Sequence, residues 1–179
     1  MSDLIGRGYI HVYTGNGKGK TTAALGLALR AVGSGLKVLI IQFLKGEGSY
    51  TGERETALRL APELEIRARG DEGFVESADP SPRDGELARK ALDEARQEIS
   101  GGRWDLVILD EINVAVHFGL IAVQDILELL DSKPDGVEIV LTGRYAPVEL
   151  IERADLVTEM REVKHYYKEG VPARKGIEK

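Results

Sequence analysis

An α/β protein with a mostly parallel sheet and helices on both faces is the fold class this sequence predicts, and three observations carry it. Short, nearly continuous apolar runs such as KVLIIQFL (Lys37 to Leu44) recur along the chain; a strand of that composition is covered on both of its faces. Segments with helical apolar spacing lie between those runs, as the crossovers of a parallel sheet require. The chain has 179 residues, 42% of them hydrophobic, which suits one buried core, so a single domain spanning residues 1–179 is expected.

The elements follow in order. YIHVY (Tyr9 to Tyr13) is read as the first strand, and Lys20 to about Val32 as an alanine- and leucine-rich helix ended by Gly33. Lys37 to Leu44 forms the second strand, Glu53 to about Leu60 a short helix, and LEIRA (Leu64 to Ala68) a third strand. Arg69 to Glu86 is rich in Gly, Asp, Ser and Pro without an apolar period, so it is expected to be a long loop with a functional role. Asp84 is expected to cap a helix running to about Ser100, with Ala88, Leu92, Ala95 and Ile99 on its inner face. WDLVILDE (Trp104 to Glu111) is another buried strand, followed by helices from Asn113 to Phe118 and from Val123 to Leu130. Val137 to Gly143 makes a fifth strand, Pro147 to Ala154 a helix with proline in its first turn, and Asp155 to Val163 a last strand. A polar tail is expected from about residue 163 onward, with solvated as its default state; the alternative is that Tyr166 and Tyr167, with Lys164, Lys168 and Arg174, close over a substrate.

Composition removes several function classes. The formal net charge is -6, whereas a nucleic-acid binder usually carries a basic excess, so no nucleic-acid partner is expected. The absence of cysteine excludes disulfides, iron–sulfur clusters and thiolate metal sites. No apolar run approaches the roughly 20 residues needed to span a bilayer, and the N-terminus lacks a signal-peptide pattern. A cytoplasmic protein without a membrane partner is the resulting expectation. His11, His117 and His165 are too far apart to offer metal-ligand spacing.

The chemistry concentrates in TGNGKGKTT (Thr14 to Thr22), which follows the first strand and opens the first helix. That context is what makes a phosphate-binding loop, or P-loop, credible. Gly15, Gly17 and Gly19 let backbone N–H groups approach phosphate oxygens, with Asn16 and Lys18 completing the loop. The helix beginning near Lys20 adds its positive N-terminal end. Lys20 supplies a point charge to the phosphates, and Thr21 or Thr22 a hydroxyl to a divalent cation, Mg2+ or Mn2+. The common spacing would place glycine at position 14, where this chain has Thr14.

The strand LVILDE places Asp110 at the carboxyl edge of the sheet, where its carboxylate holds the metal directly or through water. Glu111 beside it has two readings: orienting an attacking water in an ATP hydrolase, or contacting ribose or metal. Arg144, after the fifth strand, points toward the nucleotide edge, and Lys45 after QFL has a similar location. P-loop proteins include kinases, motor ATPases, switches and alkyl transferases, so these residues alone leave the reaction open between them.

Four stretches taken together, YTGNGKGKTTAALGLALRAVGSGLKVLIIQFLKG, WDLVILDEINVAV, IVLTGRYAPVELIERADLVTEMREVKH and GVPARKGIE, resemble the P-loop ATP:corrinoid adenosyltransferases. The resemblance implies a RecA-like P-loop fold and transfer of the 5′-deoxyadenosyl group of ATP to the cobalt(I) of a reduced corrinoid, cobalamin or cobyrinic acid a,c-diamide, with release of triphosphate. It also implies a triphosphate lying in the loop in the reverse sense to most P-loop enzymes, Glu111 near ribose, a reduced flavoprotein as electron donor, and a homodimer. In the family a Gly-Phe-x-Trp segment lets aromatics displace the lower axial ligand of cobalt; Phe74 matches it, while Glu76 stands at the tryptophan position. The rival expectation is a P-loop ATP hydrolase or switch with Glu111 positioning water.

Overall fold

The computed structural model describes residues 6–46, 48, 50–71 and 80–178. Six strands pair in parallel throughout: β1 (Ile10–Thr14), β2 (Val38–Gly46), β3 (Leu64–Gly70), β4 (Leu106–Asp110), β5 (Glu138–Thr142) and β6 (Leu156–Glu159), in the order β3-β2-β4-β5-β1-β6. The helices joining them are α1 (Lys20–Gly33), α2 (Gly52–Leu60), α3 (Pro82–Ser100), α4 (Ile112–His117), α5 (Val123–Asp131) and α6 (Val148–Arg153). A short 3-10 turn, Tyr166–Glu169, follows β6.

Alternation along the strands divides the core into two layers. Leu39, Ile41, Phe43, Val107, Leu109, Ile139 and Leu141 face α3, α4, α5 and α6. Val38, Ile40, Leu106, Ile108 and Val140 face Ala24, Ala28 and Ala31 of α1 and Ala57 of α2. The alanines bring α1 close to the sheet and so press the loop before it against the strand ends. Every strand of a parallel sheet ends at the same edge, so the loops after β1, β2, β4 and β5 gather there.

Local differences from the sequence expectations have identifiable causes. Helix α3 starts at Pro82: Ser81 is the N-cap, its hydroxyl accepts from the Asp84 N–H, and the Asp84 carboxylate accepts from the Ser81 N–H. Asp84 is thus the returning half of a capping box rather than the cap, and the expected long loop is shortened at both ends by β3 and α3. Ala88, Leu92, Ala95 and Ile99 form the buried face of α3 as expected. Strand β6 stops at Glu159, short of Val163, because Met160 and Arg161 turn to pack on the glycine loop. Pro147 precedes α6 as its N-cap in an extended conformation rather than standing inside the first turn.

Candidate functional site

The loop between β1 and α1 explains its own glycines. Gly15 has φ +94°, and a Cβ there would lie 2.9 Å from the Met160 nitrogen. A Cβ on Gly17 would meet the Met160 oxygen and the Arg161 carbonyl carbon at 2.8 Å, and the Gly17 N–H donates to the Met160 oxygen at 2.7 Å. The loop is therefore wedged against the chain leaving β6, where no side chain fits. Thr14, at the position where glycine was the usual residue, is buried at the end of β1, and its hydroxyl accepts from the Ala146 N–H at 3.3 Å.

Lys20, the first residue of α1, is 7% exposed and folds back over the loop, donating to the carbonyls of Gly15 at 2.7 Å and Gly17 at 2.8 Å. Burial pulls its pKa below the ordinary lysine value, against the pull of Glu111 and Asp110. Its ammonium thus lies at the floor of the loop, beside the cleft.

Asp110 ends β4 fully buried and is saturated with donors. Its Oδ1 accepts from Thr21 Oγ1 at 2.8 Å and Thr142 Oγ1 at 2.7 Å; its Oδ2 accepts from Lys45 Nζ at 2.9 Å and Gln42 Nε2 at 3.2 Å. Burial works to raise its pKa, but Lys45, Thr142 and Thr21 outweigh that and hold the carboxyl below the usual carboxylate range. Four donors occupy both oxygens, so the carboxylate orients Thr21 and neutralises Lys45. Of Thr21 and Thr22, it is Thr21 that the network ties to Asp110.

Glu111 caps α4 with φ +65°, its N–H held by Thr142 Oγ1 at 3.0 Å. Burial, then the neighbouring Asp110 charge, pushes its carboxyl above the ordinary glutamate value. Lys45 reaches Asp110 because β2 breaks register between Phe43 and Gly46, with Leu44 at φ +61°. Gly70 permits that bend, since a Cβ there would lie 2.8 Å from Leu44 Cα. Bulges of this kind re-aim side chains, and alternation alone does not reveal which way Lys45 turns.

A cleft of about 580 Å³ opens over these groups, lined by residues 17–22, Lys45, Glu53, Glu111, Arg144 and residues of the 165–178 segment. Lys18, Lys20, Lys45 and Arg144 give it four cationic side chains. Arg144 is exposed at the end of β5 and also borders an adjoining cleft, where Asn16 lies with Glu159, Arg161 and Glu162. Gly17, Lys18, Gly19, Lys20, Thr21, Thr22, Glu111 and Arg144 therefore share one cleft, Asp110 supports it from below, and Gly15 shapes it through its carbonyl. Phe74, with Glu76, lies outside the described residues. The 165–178 segment, expected as a solvated tail, instead returns to the loop: Lys18 Nζ donates to the Ile177 carbonyl at 3.0 Å. His11 pairs with Glu138 at 2.6 Å and His117 stacks on Tyr145, so both sit in packing roles away from the cleft.

Residues 6–178 match the family described as ATP:corrinoid adenosyltransferase BtuR/CobO/CobP. The chain belongs to this family. As an ATP:corrinoid adenosyltransferase it is an enzyme of cobalamin metabolism, and its relatives agree. It is 40% identical over 172 residues to the corrinoid adenosyltransferase of Pseudomonas aeruginosa, covering 96% of this chain and 84% of that one. The corrinoid adenosyltransferase of Escherichia coli strain K12 is 37% identical over 172 residues, covering 96% and 86%. Among solved structures, the RadB recombinase shares the fold of this adenosyltransferase with a TM-score of 0.53 at 15% identity, over 89% of this chain and 77% of that one. Such a likeness speaks to the P-loop, RecA-like fold alone. Among the described residues no helix is long and apolar enough to cross a membrane.

Proposed function

We propose that the loop from Gly15 to Thr22 grips the triphosphate of ATP so that C5′ of the ribose, rather than the terminal phosphorus, faces the cobalt(I) of a reduced corrinoid. The electron pair of cobalt(I) forms the cobalt–carbon bond, the C5′–oxygen bond breaks, and its electrons leave on triphosphate. Cobalt(I) is itself a strong nucleophile, so the protein needs no general base. It must align C5′ with cobalt and stabilise the charge that gathers on the leaving triphosphate. The observation that supports the grip on the triphosphate is the buried Lys20 ammonium, held over the loop by the Gly15 and Gly17 carbonyls at the N-terminus of α1; membership of the adenosyltransferase family supports C5′ as the atom attacked.

The oxygen-donor set fits a hard divalent cation: the Thr21 hydroxyl donates its proton to Asp110, which leaves its lone pairs for a metal, and Glu53 and Glu111 border the same cleft. Mg2+ or Mn2+ bound there would neutralise developing charge on the polyphosphate. Thr21 would hold it, with Asp110 acting through Thr21 rather than as a direct ligand. Arg144 supplies a further cation at the rim, and Glu111 a carboxyl suited to the ribose hydroxyls.

The family resemblance supports Phe74 as a corrinoid contact, cobalamin or cobyrinic acid a,c-diamide as the acceptor, and a reduced flavoprotein as electron donor. It likewise supports a cytoplasmic homodimer, for which the edge strand β6, with Leu156 and Val157 each 42% exposed, offers a surface. Lys20→Ala tests the core of this reading. Removing a preorganised charge partner costs on the order of 3 kcal/mol of barrier, roughly a hundredfold in rate; transfer near the wild-type rate would refute the role of the loop.

A further inference from the structure

Residues 165–178 form a small unit of their own against the phosphate cleft. The Tyr166 hydroxyl donates to Glu178 Oε1, and Arg174 donates to the same carboxylate from its backbone N–H at 2.7 Å and from its guanidinium at 3.1 and 3.3 Å. The Arg174 guanidinium also lies over the Tyr166 ring, 5.0 Å from its centroid. This clasp ties the two ends of the segment together. The closed segment lends His165, Gly176, Ile177 and Glu178 to the wall of the cleft. Two exposed cations anchor it: Lys18 of the glycine loop on the Ile177 carbonyl, and Lys175 over the ring of Tyr50 at 4.4 Å, just before α2.

These attachments are weak ones. Ile177 is 57% exposed and Val163, where the chain leaves the β6 side, is 96% exposed, so little apolar surface holds the segment down. Segments with few buried contacts open at low free-energy cost. An ammonium has three donors, and Lys18 uses one of them on the Ile177 carbonyl. A polyphosphate in the loop can take another, so that Lys18 bridges ligand and segment together.

We infer that residues 165–178 are a strap that opens to admit the nucleotide and is drawn shut by its polyphosphate through Lys18, slowing release of the nucleotide and of triphosphate. The inference rests on the phosphate-loop reading proposed above. Closure acts on escape rather than on entry, so its signature is the dissociation rate.

Two measurements test it, the first on the full chain and the second on the full chain and its variants. Trypsin has targets within the strap at Lys168, Arg174 and Lys175, and inorganic tripolyphosphate is expected to slow cleavage there at least about fivefold. Cleavage at an unchanged rate with saturating tripolyphosphate overturns the inference. A chain stopped after His165, and separately Glu178→Ala, which opens the clasp while keeping the strap, are compared for release of a fluorescent ATP analogue by stopped flow. Dissociation at least about tenfold faster, with association within about twofold, is expected for both. Unchanged dissociation in Glu178→Ala overturns the inference even if the shortened chain does not fold. Faster transfer-step loss with normal nucleotide release also overturns it, since the strap would then serve the corrinoid. Adenosyl transfer by Lys20→Ala separates the two readings: if transfer collapses while Glu178→Ala releases nucleotide at the wild-type rate, the strap alone fails; if transfer stays near the wild-type rate, the phosphate loop fails and the strap with it.

Discussion

Replacing Lys45 with alanine removes the one formal positive charge that, among the described residues, is hydrogen-bonded to Asp110, whose side chain is 1% exposed against 23% for Lys45. Taking one partner from a buried ion pair typically costs 3–5 kcal/mol, because the remaining charge stays desolvated without compensation. Three neutral donors, Thr21, Thr142 and Gln42, remain on Asp110, and Lys45 is partly solvated, so the lower end, about 3 kcal/mol, is the expected loss. With a urea slope of about 2 kcal/mol per molar, the unfolding midpoint at pH 7 should fall by about 1.5 M. The pH dependence gives the sharper signature. In the wild type the Asp110 pKa is depressed, so its stabilising contribution is present above the unfolded value near 3.9 and is lost as pH falls through the folded value. In Lys45→Ala burial dominates and the folded pKa rises above the unfolded one, so the variant should recover stability as pH falls through the folded value toward the unfolded value near 3.9. A midpoint within about 0.3 M of wild type at pH 7, or a variant that only weakens on acidification, would refute the assignment of Lys45 as the partner of Asp110.

Other substitutions read other parts of the account. Gly15→Ala forces a side chain into a positive-φ position already crowded by Met160 and should cost about 3 kcal/mol, measured by thermal or denaturant unfolding. Ser81→Ala removes the capping box of α3 and should cost about 1 kcal/mol while leaving adenosyl transfer unchanged. Glu111→Gln should stabilise the protein at alkaline and neutral pH: burial raises the carboxyl pKa, so ionisation is a penalty present above the folded value. That gain should vanish as pH falls below the unfolded value near 4.3, and melting curves across this range check it. The same variant should lose transfer activity, since the carboxyl lines the cleft.

Much of the fold was legible because its signals are local. Residues 37–44 and 104–111 are apolar enough to require cover on both faces, and the structure supplies it from two helical layers. The glycine loop between β1 and α1 was legible because its glycines, Lys20 and Thr21 are contiguous, and Asp110 at the end of β4 followed from a strand ending in an acid. What escaped was set by distant segments. That Asp110 is saturated depends on Lys45, Gln42 and Thr142, drawn from two other strands, and on a bend at Leu44 that Gly70 makes room for. The cap at Ser81 was obscured because Asp84 is an equally good capping residue, and only the reciprocal bonds decide between them. The 165–178 segment reads as a solvated tail by default because it is polar, with closure over a substrate by its tyrosines and cations as the alternative; what ties it together is one carboxylate, Glu178, held by Tyr166 and Arg174 across the segment, a pairing with no periodic signature.

The proposal that C5′ is the atom attacked is tested most directly by the phosphorus product. Incubated with Mg-ATP and chemically reduced cobalamin, the protein should yield intact triphosphate and adenosylated corrinoid in equal amounts, resolved by phosphorus NMR and the corrinoid absorption spectrum. ADP and orthophosphate accumulating while cobalt stays unalkylated would contradict it.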